Sequence, residues 1–326
     1  MKKSIVVISI LAVILAISLY GLSAMQNQSS EWAHPECMAT VEEVAYAIEH
    51  PEEYVIIDAS KSKPNESVKN AIWISFKTFR QPNGLLKGIW GYPIKPGQFD
   101  PDELQHIFRQ LGVSENKTVI VLARDPTDAG VVWFALYFLG FDRVKLLPVN
   151  YTVLGKDNLT SDFKVYSPNM SEVGDFTVDK SKIRWDMYAT RQDILMAMEN
   201  PSIGIADLRP PAYYNGSKAK TIRGGHLMTA VNIPFYEFWE DKYMTKLKSK
   251  EELQKLLAEK FPKQVRKIIT TCNTGHRASA GFIIWQLGYE WALDDASWNF
   301  HAFEGDMPAS DVKIINLFEI AEAVKS

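Results

Sequence analysis

The sequence predicts an α/β fold made twice: two domains, each a mainly parallel sheet with helices on both faces. Three observations carry this reading. A chain of 326 residues exceeds one ordinary domain. Short apolar runs alternate with helical patterns along it, the signature of a parallel sheet with covered faces. The same run of segments also occurs in both halves at a nearly constant spacing.

Composition narrows the class. Hydrophobic residues make up 46% and charged residues 23%, a balance that excludes wholesale disorder. With a net charge of -3 and no long basic block, the chain is no nucleic-acid binder held by phosphate contacts. Only Cys37 and Cys272 carry thiols, which excludes a disulfide scaffold or a four-cysteine zinc site.

The first element is 1–24. Lys2 and Lys3 precede an uncharged apolar run from Ser4 to Leu22, which reads as a signal peptide or a membrane anchor. Leu22 stands where a cleavage site wants a small residue, which favours an uncleaved anchor. The two lysines then stay cytoplasmic and the rest of the chain lies outside. Asn27, Asn65, Asn116, Asn150, Asn158, Asn169 and Asn215 each begin an Asn-x-Ser/Thr triplet. Chance would supply about 1.5 such acceptors. The set points to an extracytoplasmic, N-glycosylated protein.

The repeat follows. Val55-Ile56-Ile57-Asp58 matches Gly204-Ile205-Ala206-Asp207, and Ala71–Phe76 matches Ala230–Phe235. Val119–Leu122 matches Lys267–Thr270, and Leu139-Gly140-Phe141 matches Leu287-Gly288-Tyr289. These matches delimit a first domain at 38–150, a polar connector at 151–182 and a second domain at 183–326. In the second, a helix over Arg191–Glu199 precedes a strand Ile203–Asp207. A charged amphipathic helix Lys250–Phe261 precedes a strand Lys267–Thr271, and His276–Leu287 reads as a buried crossover helix.

Chemistry concentrates after that last strand. Thr271-Cys272-Asn273-Thr274-Gly275-His276-Arg277 places a thiol at a strand's carboxyl end, where α/β sheets hold ligands. Backbone N–H groups of the loop and the following helix start favour a thiolate there. Gly275 lets the loop curl.

The ordered set Asp207-Leu208-Arg209, Tyr214-Asn215-Gly216, Arg223-Gly224-Gly225-His226, Cys272–Arg277 and Asp295-Ala296-Ser297-Trp298 resembles the rhodanese domain. The whole chain resembles the tandem rhodanese-domain sulfurtransferases. The resemblance implies two rhodanese-like domains, the second catalytic, and a two-step transfer. Cys272 takes the outer sulfur of a donor as a persulfide and passes it to a thiol or cyanide-like acceptor. It assigns Asn273, Thr274, Gly275, His276, Arg277 and Arg223 to binding an anionic donor, and Asp207 and Arg209 to structural support. It implies no cofactor and no metal. The family's basic residue before the Tyr214 match is replaced by Tyr213, so thiosulfate, a persulfide or a polysulfide rank above 3-mercaptopyruvate. The four residues between Cys272 and Arg277 are one fewer than in related phosphatases, which disfavours phosphate esters. A rival reading from another class is a non-catalytic persulfide carrier or interaction module.

In the first domain an ungapped alignment puts Arg124 at the cysteine position, so this copy is expected to be inactive. Cys37 has too few ligand neighbours for a metal, and would serve as a resolving thiol for Cys272 only if its segment reaches the cleft.

Overall fold

The computed structural model describes residues 32–89 and 99–313. The apolar segment 1–24 and the Asn27 triplet lie outside these. Among the described residues no helix is long and apolar enough to cross a membrane.

The first half contains β1 (Tyr54–Asp58), β2 (Ser67–Val68), β3 (Ile72–Trp73), β4 (Thr118–Leu122), β5 (Val144–Leu146), β6 (Leu159–Thr160) and β7 (Lys164–Val165). The second contains β8 (Ile203–Asp207), β9 (His226–Leu227), β10 (Val231–Asn232), β11 (Lys267–Thr271), β12 (Glu290–Leu293) and β13 (Ala309–Ser310). Two parallel sheets result, ordered β5-β4-β1-β3-β7 and β10-β8-β11-β12. Read from β12, the second has the first four positions of the other. Apart from their first residues, β1, β4, β8 and β11 are buried along their length, because helices cover both faces.

Local signals recur between the halves. Thr40 caps the helix Val41–Glu49 through the Glu43 N–H, and Thr190 caps Arg191–Glu199 in a full capping box with Asp193. Asn70 and Thr229, each just before the third strand of its half, share a left-handed backbone with φ of 64° and 65°. Gly140 and Gly288 end the long crossovers at φ of 92° and 93°, a conformation that glycine adopts without a Cβ penalty.

Register corrects the alignment at the cysteine. Asp58 pairs with Leu122, and Asp207 pairs with Thr271. Ala123, not Arg124, therefore stands where Cys272 stands. The first half has one residue more between the strand end and the glycine that closes the crossover (Ala123 to Gly140 against Cys272 to Gly288), so an alignment anchored on the glycines slips by one.

Two other expectations change. The connector 151–182 is built into the first half: Tyr151 and Leu154 are buried there, β6 pairs with β2, and β7 extends the sheet beside β3. Strands of two residues carry too little periodicity to be read. The crossover helix begins as a 3-10 turn at Arg277–Ala280 and becomes α-helical over Gly281–Gln286.

The halves share one core. Trp133 of the helix Pro126–Phe138 packs edge-on to Phe282 at 4.6 Å, and Ile57, Val121, Phe282 and Trp291 belong to the same buried cluster. Full burial of such side chains stabilises by about 2 kcal/mol each. The contact is close because Gly130 lies on the 3-10 turn: a Cβ there would stand 2.7 Å from Ser279 Oγ. That hydroxyl donates to Thr127 O at 2.9 Å. The entering chain also touches the second half, where His34 stacks on Trp285 at 3.7 Å.

Candidate active site

Cys272 follows β11 directly and is 2% exposed. Its N–H and that of Gly275 converge on Ser297 Oγ at 3.1 and 3.0 Å, and this oxygen stands 3.9 Å from Cys272 Sγ. The loop is thus curled around one hydroxyl. Ser297 holds a left-handed backbone at φ 55°, an arrangement that costs a non-glycine residue about 1 kcal/mol or more. It is held there because its N–H donates to Asp294 Oδ1 at 2.9 Å and its hydroxyl sits 2.6 Å from Asp294 O. Ser297 and Asp294 carry the site's geometry, and sequence reasoning assigned them no role. Ser297 lay in a quoted motif, but only the fold brings it to the cysteine.

Behind Asp294 lies a buried network. Its Oδ2 accepts from Thr271 Oγ1 at 2.7 Å and faces His301 Nε2 at 3.0 Å, while His301 Nδ1 faces Glu304 Oε2 at 3.1 Å. Burial lowers the His301 pKa, but the Asp294 and Glu304 carboxylates outweigh it and raise it to about 9. A cation therefore sits two bonded groups behind the cysteine loop at neutral pH.

The first half grips the loop from the other side. Arg80 donates to Thr274 O and binds Asp295 Oδ1 at 2.6 Å, and the Leu86 N–H donates to Asp295 Oδ2 at 2.7 Å. Gly275 has φ 76°, and a Cβ on it would meet Asp295 Oδ1 at 2.7 Å. Asn273 O accepts from the Asn299 N–H at 2.9 Å, and the Oδ1 atoms of both asparagines are buried without a hydrogen-bond partner among the described residues.

The expected donor-binding cations are placed differently. Arg277 ion-pairs with Asp125 and lies 4.1 Å over the Phe235 ring, so its charge is already matched. Arg223 donates to the carbonyls of Glu304 and Met307 at 3.1 and 2.8 Å and lies over Trp298, which makes it a strut beneath the helix Ser297–His301. His276, expected at the donor, is held by the first half. Its Nε2 is 2.7 Å from Asp128 Oδ1, and its ring stacks on Phe76 at 4.3 Å. Burial and the neighbouring Arg277 push its pKa well below the usual value, while burial and Asp125 push Asp128 up to about 7. Burial opposes ionisation of Asp125 too, but Arg277 holds it below the usual carboxylate range. Asp207 and Arg209 form a buried ion pair at 2.5 Å, and Arg209 also donates to Gly225 O at 2.8 Å, tying β8 to the loop before β9.

Ala123, at the equivalent position of the first half, has no chemistry. Its neighbour Arg124 donates through Nε to Tyr151 OH at 3.1 Å. Cys37 is buried beside Glu36, Tyr137 and Arg184, where burial pushes its thiol up to about 12. That environment is one of a packed thiol rather than a resolving partner at the cleft. Among the described residues no three His, Cys, Asp or Glu side chains are grouped to hold a metal.

Beside the loop opens a cavity of about 570 Å³, walled by Thr274, His276 and Asn299 on one side and by Lys61, Lys77 and Arg80 on the other.

Residues 190–299, which hold the cysteine loop at the parallel sheet's carboxyl edge, match the family model of the rhodanese-like domain. The relatives are sulfurtransferases by name. A protein of Synechococcus elongatus named for thiosulfate sulfurtransferase activity is 30% identical over 224 residues, covering 66% of this chain and 65% of its own. The 3-mercaptopyruvate sulfurtransferase of Rattus norvegicus is 29% identical over 51% of this chain and 55% of its own. That of Escherichia coli is 24% identical over 83% and 96%. The chain thus spans between about half and two thirds of the length of the first two relatives. Among solved structures, an anaerobic ergothioneine biosynthesis enzyme from Chlorobium limicola superposes with a TM-score of 0.69 at 14% identity, over 85% of this chain and 70% of that one. At that identity the likeness concerns the fold alone. Together the family match and the relatives support the rhodanese assignment of the second half.

Proposed function

We propose that the protein is a sulfurtransferase that moves a sulfane sulfur from an anionic donor, through a persulfide on Cys272, to a thiophilic acceptor. The observation that carries this reading is the loop: the thiol that follows β11 sits in a turn curled on Ser297, whose hydroxyl oxygen stands 3.9 Å from the sulfur. In this reading N–H groups of the loop Asn273–Arg277 act as fixed dipoles that stabilise the anionic persulfide. The Cys272 thiolate attacks the outer donor sulfur, the donor's S–S bond breaks, and its electron pair leaves with sulfite or a thiolate. The acceptor then attacks the persulfide's outer sulfur and regenerates the Cys272 thiolate. In this reading the first half, with Ala123 at the equivalent position, is a non-catalytic rhodanese-like copy that supplies one wall of the cleft. The same reading takes the apolar segment 1–24 as an export signal or anchor and the Asn-x-Ser/Thr asparagines as glycan acceptors.

Thiocyanate formation from thiosulfate and cyanide, compared between wild type and Cys272→Ala, is the test. Turnover that vanishes in Cys272→Ala, with a 32 Da gain on Cys272 by mass, is the expected result. A stable persulfide without turnover identifies a carrier instead, and no sulfur on Cys272 from thiosulfate, a persulfide or a polysulfide overturns the reading. Peptide mass spectrometry finding all seven acceptor asparagines bare overturns the glycoprotein part.

A further inference from the structure

We propose that Lys61 and Lys77, both from the half without a cysteine, form the anion-recognition site for the sulfur donor. This rests on the sulfurtransferase reading above and deepens it. The positions where sequence reasoning sought donor-binding charge are occupied otherwise: Arg277 is paired with Asp125, Arg223 caps carbonyls, and Arg80 is paired with Asp295. The cavity beside the loop is lined by two further cations, Lys61 and Lys77, and by no carboxylate among its described lining residues. Both lysine side chains belong to exposed residues, so neither pays a burial cost for its charge.

Their placement is rigid at the backbone. The Lys61 N–H donates to Asp128 Oδ2 at 2.8 Å, and Lys61 O accepts from Ser75 Oγ at 2.8 Å. Asp128 is the same carboxylate that holds His276 through its other oxygen. Lys77 lies in the 3-10 turn Phe76–Phe79, whose Phe76 stacks on His276. One lysine is therefore tied to the cysteine loop through a carboxylate and the other through an aromatic ring, and both flank His276. Lys61 and Arg80 each depress the His276 pKa, after burial and Arg277, which sets them close to the loop.

The chemistry recognised is an anionic sulfane-sulfur donor. A cavity of about 570 Å³ exceeds what thiosulfate fills and lies in the range of organic-ligand sites. A peptide-sized persulfide with two carboxylates offers one anionic group for each lysine. In that arm the Cys272 thiolate bonds to the outer sulfur of R–S–SH, the old S–S bond breaks, and R–S⁻ departs with its electron pair. The sulfane sulfur keeps its proton and its oxidation state.

Two measurements on the full chain test this. Single-turnover sulfur loading of Cys272 is followed with thiosulfate and with glutathione persulfide in wild type, Lys61→Ala, Lys77→Ala, the double alanine variant and the double arginine variant. Calorimetry then measures binding of thiosulfate and of glutathione to Cys272→Ser, with and without the alanine changes. The double alanine variant is expected to raise the half-saturating concentration about tenfold or more for at least one donor, with a much smaller change in limiting rate. Salt should shrink the difference, and arginine should largely restore it. A larger effect with glutathione persulfide assigns the cavity to organic donors, and a larger effect with thiosulfate to inorganic ones. Either supports the site. Unchanged half-saturation for both donors overturns it, as does anion binding that ignores the lysines or is absent from Cys272→Ser. If Cys272 accepts no sulfur while the lysines still govern anion binding, the sulfurtransferase reading fails and the anion site stands.

Discussion

His276 Nε2 stands 2.7 Å from Asp128 Oδ1, so the residue before Arg277 in the cysteine loop is held by a carboxylate from the other half of the chain. The same aspartate accepts from the Lys61 N–H, which makes it the joint between the two halves at the cleft. Asp128→Ala leaves the Lys61 N–H without its partner and His276 Nε2 with only the longer Thr127 Oγ1 contact at 3.3 Å, and is expected to cost about 1–3 kcal/mol. Asp128→Asn, which keeps a hydrogen-bonding group there, is expected to cost less. Urea unfolding of the two variants measures this, and equal losses would contradict the role.

Arg80 is the second joint. Removing it in Arg80→Ala strands Asp295, which is buried, and frees the Thr274 carbonyl. The expected loss is about 3 kcal/mol, with slower sulfur loading of Cys272. Arg80→Lys keeps the charge but not the two-group reach, and should fall between wild type and alanine. Denaturant midpoints together with loading rates check both.

Gly275→Ala places a Cβ on a left-handed residue 2.7 Å from Asp295 Oδ1 and 2.9 Å from Asp295 O. The expected outcome is a loss of about 2 kcal/mol or more and a loop that no longer closes on Ser297. Wild-type stability and turnover in Gly275→Ala would contradict the geometry.

His301 supplies a pH dependence. Its folded pKa of about 9 exceeds the ordinary value of 6.5, so the protonated ring is bound more tightly in the folded state. Its contribution is fully present below about pH 6.5 and is lost as pH rises through about 9. His301→Gln should therefore lower stability at pH 6 and little at pH 10. Melting curves across that range test it; a difference from wild type that grows with pH would reverse the assignment.

Much of the second sheet was legible. Ile203–Asp207 and Lys267–Thr271 are strands over the residues predicted, since a strand covered on both faces carries apolar residues at consecutive positions, as in Ile205-Ala206 and Ile268-Ile269. The helix Arg191–Glu199 also forms where its pattern predicts, and the structure adds what starts it, the box between Thr190 and Asp193. Short edge strands such as β7 were not, because two residues pair by backbone alone and leave no side-chain period. The one-residue slip at Arg124 arose from a longer crossover in the first half, between Ala123 and Gly140, which only the pairing of Asp58 with Leu122 exposes.

The sequence by itself determined the alternation of strand and helix, and put the one thiol that follows a buried strand at Cys272. These are local properties, set by the period of apolar residues and the residue types at turns. The tertiary structure decided what surrounds that thiol. Ser297 reaches it from 25 residues away in the chain, and Arg80 reaches the loop from 194. It also decided which cations are already paired. Arg277 looks free in a sequence, but ion pairing depends on what folds against it, and here that is Asp125 of the other half.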